Sequence, residues 1–86
     1  MSNERPKRAK GLDVHEVEDG LVVYQADRDR VHYLNQTSAV VFEFCTGKNT
    51  NDDIVGLVQA AWELAEPPRN EVMTCLLQLR AEGVLR

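Results

Sequence analysis

Apolar positions along the chain change their period once, and that change separates a strand region from a helical region. Leu12, Val14 and, after an out-of-phase step, Val17 mark a short strand with an irregularity. Asp19-Gly20 follows. Between alternating segments such a pair signals a two-residue hairpin loop, because both positions accept a positive φ. The second strand is then Leu21 to Ala26, and Asp27-Arg28-Asp29 makes the next turn. Arg30 to Leu34, rich in β-branched and aromatic residues, makes a third strand. In meander order that strand lies at an edge of the sheet.

At Asn35 the pattern becomes helical. Asn caps the free N–H groups of a first turn, and Ser38 to Cys45 reads as a helix ending before Gly47. Ala39, Val40, Val41, Phe42, Phe44 and Cys45 wrap most of its circumference, so this helix must be covered on nearly every side and forms the centre of the core. Thr50 with Asp53 resembles a capping box and opens a second helix, whose stripe is Ile54, Leu57, Val58 and Ala61. Pro67-Pro68 interrupts it, and a third helix runs from Arg69 to Glu82 and stops at Gly83. Val72, Cys75, Leu76 and Leu79 give that helix its core stripe, while Met73, Leu77 and Arg80 form a second one. The predicted class is α+β, a three-stranded antiparallel sheet followed by three helices, with no internal repeat or second domain.

Composition narrows the function. A chain of 86 residues suits one domain. With 43% hydrophobic and 28% charged residues it is neither disordered throughout nor fibrous. The net charge of −4 is unevenly spread: Arg5, Lys7, Arg8 and Lys10 against Glu4 give the first ten residues +3 and leave −7 for the remainder. Residues 1–10 are therefore read as a disordered basic tail and 11–86 as the domain. The acidic body argues against a nucleic-acid partner. No apolar run approaches the ~18 residues of a membrane span, and the start lacks a signal peptide's apolar stretch, so a cytoplasmic protein without membrane contact is expected. Cys45 and Cys75 read as small buried hydrophobes rather than a disulfide.

Catalytic chemistry finds little support. His15 and His32 fall on strands and the cysteines on helices, without CxxC or HxxxH spacing, so neither a zinc site nor a Cys/His pair is indicated. No glycine-rich phosphate loop or serine elbow occurs, and Asp52 and Asp53 complement a helix N-terminus. No catalytic residue, metal or cofactor is expected. What stands out is the edge strand Arg30 to Leu34 and the surplus stripe Met73, Leu77 and Arg80. If the stripe flanks the strand, the two form a groove suited to an extended peptide.

The order and spacing of residues 31 to 85 resembles the PqqD family of peptide chaperones. The matching positions are Leu34-Asn35 at the strand-helix junction, Phe44-Cys45-Thr46-Gly47, Thr50 with Ile54, Leu57 and Val58, and finally Val72, Leu76, Leu79, Gly83, Val84 and Leu85. The resemblance implies a winged helix-turn-helix and a leader peptide docked as a fourth strand between strand three and helix three. By position it implies peptide contacts from Val31, His32, Tyr33 and Leu34 on the strand, and from Met73, Leu76, Leu77 and Arg80 on the helix. Alternation leaves Leu34 two roles, packing inward on Phe44 or facing the peptide. Members acting in pyrroloquinoline quinone synthesis tend to carry a proline-containing stretch before strand three. Gln25-Ala26-Asp27-Arg28-Asp29 stands there instead, so a recognition protein for another modified peptide, of lasso or radical-enzyme type, fits at least as well.

The expected function is non-enzymatic binding of a precursor's leader segment and its presentation to a separate modifying enzyme, by a monomer or weak dimer. A winged-helix DNA-binding regulator and a small adaptor subunit are the alternatives. The first needs several phosphate-neutralising cations, whereas Arg69 and Arg80 on helix three are balanced by Glu71 and Glu82.

Overall fold

A computed structural model describes residues 4–86. Its class is α+β, an antiparallel sheet of three strands followed by three helices. The strands are β1 (Leu12–Val17), β2 (Gly20–Gln25) and β3 (Arg30–Asn35), in spatial order β1-β2-β3. The helices are α1 (Gln36–Phe44), α2 (Asn51–Ala61) and α3 (Arg69–Ala81).

The first hairpin is registered one residue earlier than the Asp-Gly signal suggests. Val17 pairs with Gly20, so Glu18 and Asp19 are the loop residues and Gly20 already belongs to β2. Close approach explains why a glycine stands there: a Cβ at Gly20 would lie 1.8 Å from the carbonyl oxygen of Leu34 on β3. Between β2 and β3 the chain makes a short 3-10 turn over Ala26–Arg28, and Asp29 takes the left-handed conformation at φ 49°. Alternation then puts Leu21, Val23, Gln25, His32 and Leu34 on the inner face of the sheet.

β3 runs straight into α1. The Asn35 side chain accepts a hydrogen bond from the Ser38 backbone N–H at 2.9 Å, so the helix begins at Gln36, two residues before the expected start at Ser38. Val41, Phe42 and Cys45 are fully buried, and α1 packs against β2, β3, α2 and α3 as its apolar circumference requires. α2 opens with a complete capping box, Asp53 N–H donating to Thr50 Oγ1 at 3.1 Å and Thr50 N–H donating to Asp53 Oδ2 at 3.0 Å. Its buried face is Ile54, Val55 and Val58, whereas Leu57 and Ala61 are exposed. The stripe is thus turned toward Val55, because Asn51 at the head of the helix is buried against the N-terminal segment, with its N–H donating to the Glu4 carbonyl at 3.2 Å. α3 buries Val72, Leu76 and Leu79, and Val84 and Leu85 fold back beneath it to close the core.

Residues 4–9, expected as part of a disordered basic tail, are held in place. Lys7 pairs with Thr46 and Arg8 with Leu85, Ala9 N–H donates to the Val84 carbonyl at 2.9 Å, and Arg86 N–H donates to the Lys7 carbonyl at 2.7 Å. Pro6 is fully buried. Main-chain pairing with the turn after α1, the head of α2 and the C-terminal end fixes this segment, and Glu4 adds an ion pair with Arg80. The first three residues of the expected tail lie outside the described ones.

Candidate functional site

The open edge of β3 is the feature from which the candidate site is built. β2 pairs with β1 on one side and β3 on the other, so one edge of β3 carries N–H and C=O groups that no strand among the described residues covers. Its side chains alternate. Val31 and Tyr33 point to the outer face and are 66% and 60% exposed, while His32 and Leu34 turn inward. Leu34, at 2% exposure, belongs to the core, which settles its direction.

His32 is held by a polar chain beneath the strand. Its Nε2–H donates to Gln25 Oε1 at 3.1 Å, and Gln25 Nε2 donates to the Gly83 carbonyl at 3.0 Å. An amide oxygen only accepts, so this contact requires the proton on Nε2. The chain ties β3 through β2 to the end of α3.

Two clefts lie beside the edge. One, of about 280 Å³, joins Tyr33, Leu34 and Asn35 to Gln78, Leu79 and Glu82. The other, of about 370 Å³, joins Asn35, Thr37 and Ser38 to Asn70, Glu71, Thr74 and Cys75. Asn35, Ser38 and Gln78 line both, so the clefts form one groove, with the C-terminal turn of α3 beside Tyr33 and its N-terminal turn beside Thr37.

Helical geometry decides which residues of α3 meet the groove. At ~3.6 residues per turn, Glu71, Cys75, Gln78 and Glu82 follow one flank of the buried stripe, and Arg69, Met73, Leu77 and Arg80 follow the other. The groove takes the first flank. Met73, Leu77 and Arg80 line neither cleft, and of the expected strand residues Tyr33 and Leu34 line one while Val31 and His32 line neither. Met73 packs partly against the core, Leu77 is 66% exposed, and Leu76 is buried. Arg80 Nη1 lies 3.5 Å from Glu4 Oε2, and Arg69 Nη1 lies 2.7 Å from Asp52 Oδ1, so both α3 cations have carboxylate partners within the chain. The polar row Glu71, Gln78 and Glu82 is what sequence reasoning passed over; its spacing was visible, but polar residues on a helix read as a solvated face.

Reactive groups are sparse here. Cys45 and Cys75 are free thiols. Burial pushes the Cys45 thiol up to about 12 against the pull of Arg8 and Arg80, and its S–H donates to the Val41 carbonyl at 3.2 Å. Cys75 accepts a hydrogen bond from Ser38 Oγ at 3.7 Å in the wall of the groove. Among the described residues no group of three or more His, Cys, Asp or Glu side chains is placed to hold a metal ion. No helix of the described residues is long and apolar enough to cross a membrane.

An open edge strand beside a helix-walled groove defines a small domain with the means to bind an extended chain. The model of the family described as coenzyme PQQ synthesis protein D (PqqD) matches residues 20–85, which takes in β2, β3 and all three helices, and the chain belongs to that family. It is a family of precursor-peptide recognition and chaperone proteins whose members are non-catalytic accessories to peptide modification. No curated protein and no solved structure matches the chain.

Proposed function

We propose that the protein binds the leader segment of a ribosomally made precursor peptide as a fourth strand on β3 and presents it to a separate modifying enzyme. The observation that carries this reading is the unpaired edge of β3 beside the groove that α3 and the start of α1 enclose. Strand addition draws affinity from the main chain and specificity from alternate side chains, so the edge supplies the first and the groove the second. Val31 and Tyr33 flank one row of the peptide's side chains. His32 and Leu34 act from below, by keeping the strand flat against the core. Asn35, Ser38, Thr74 and Gln78 line the path of the other row.

No bond-making group of this chain takes part. Its contribution is proximity: a tethered substrate reaches an effective concentration on the order of millimolar at a partner enzyme, whatever the enzyme's own affinity for it. The partner is an enzyme that modifies peptides, of pyrroloquinoline quinone, lasso or another class. Calorimetric titration with the leader of a short precursor encoded beside the gene tests the reading. One-to-one binding near micromolar, about 8 kcal/mol, supports it, and absence of binding to any neighbouring precursor counts against it.

A further inference from the structure

We propose that the groove selects a cationic extended segment, with Lys or Arg on the side-chain row that faces α3 and apolar residues on the other row; this rests on strand addition to β3 as proposed above. A strand added to β3 alternates its side chains between the two faces of the sheet. On the outer face the row lies beside Val31 and Tyr33, both exposed, and cross-strand contact there favours β-branched or aromatic partners.

On the inner face the row enters the groove. Glu82 stands in the cleft beside Tyr33, and Glu71 in the cleft beside Thr37, so a carboxylate marks each end. No cation lines either cleft, and neither carboxylate belongs to an ion pair among the described residues. The α3 cations Arg69 and Arg80 are on the opposite flank and already engaged. Polar neighbours fill the interval: Asn35, Ser38 and Gln78 offer hydrogen bonds without charge. A long basic side chain suits such a wall, since its stem lies along Leu79 or Cys75 while its head reaches the carboxylate. An acidic side chain at the same position meets a like charge across the groove.

Two blocked peptides of one backbone test this: Val-Lys-Val-Thr-Val-Lys-Val and its counterpart with Glu for Lys. Binding to the full chain is followed by backbone-amide NMR at low salt. The lysine peptide is expected to bind about tenfold more tightly, a preference that fades as salt rises. Glu71→Lys with Glu82→Lys should reverse it, and Glu71→Gln with Glu82→Gln, which keep shape, should bring it near unity. Equal binding of both peptides, with amide changes along β3, overturns the charge selection and leaves strand addition standing. Absence of changes along β3 with either peptide at millimolar concentration overturns both.

Discussion

His32 Nε2 lies 3.1 Å from Gln25 Oε1, and this contact places a polar tie directly under the strand proposed to receive the peptide. Gln25 passes the tie on to the Gly83 carbonyl, so β3 and the end of α3 share one hydrogen-bond network. Replacing His32 with Leu leaves Gln25 Oε1 unpaired in a site where His32 is 8% and Gln25 3% exposed. A loss of about 1–3 kcal/mol in urea unfolding is expected. The Gln25→Leu, His32→Leu double variant should lose less than the sum of the two single changes.

The capping box at the head of α2 gives a local prediction. Thr50→Ala removes the acceptor for the Asp53 N–H and should cost about 1 kcal/mol, read as a lower urea midpoint with unchanged slope.

Cys45 makes stability fall in alkali. Its thiol is pushed up to about 12 when folded, from 9.0 for a solvent-exposed thiol, so the folded state keeps a proton that the unfolded chain releases. The contribution is present in full below pH 9.0 and is lost as pH rises through about 12. In that window the contribution of Cys45 falls by up to about 1.4 kcal/mol per pH unit. Comparison of wild type with Cys45→Ala by denaturant unfolding at pH 8, 10 and 11 should show a difference that shrinks with rising pH.

The two flanks of α3 give opposite expectations. Gln78 lines both clefts, so Gln78→Trp fills the groove and should weaken leader binding about tenfold or more, with stability nearly unchanged because the side chain is exposed. Leu77→Asp on the far flank should leave affinity within about twofold. Calorimetry on the two variants reads this directly, and the reverse outcome would move the peptide to the Met73–Leu77 side.

How much of this was legible in the sequence depends on the range of the interaction. Turns and caps are local, so the Asn35 and Thr50 caps and the strand run of Arg30 to Leu34 appear in the structure near where the pattern puts them. The hairpin slipped by one residue because Gly20 answers to the Leu34 carbonyl, a neighbour remote in sequence. Val55 displaced Leu57 from the buried face of α2 because the N-terminal segment covers Asn51 on that side. That segment was itself unreadable: its pairing with Thr46, Val84 and Leu85 requires the finished fold. The same holds for α3, where the pattern shows a core stripe with two flanks but not which flank the path of the chain turns toward β3.

Strand addition makes the free edge of β3 the ligand's hydrogen-bonding partner. Hydrogen exchange of the β3 backbone amides, measured with and without the precursor leader, tests it most directly. In an antiparallel ladder alternate residues of a strand bond to each side, so the amides of β3 that face away from β2 should exchange rapidly in the free protein. Saturating leader should slow those amides while the β2-facing set stays as protected as before. Saturable binding that leaves the outward β3 amides in rapid exchange would contradict strand addition.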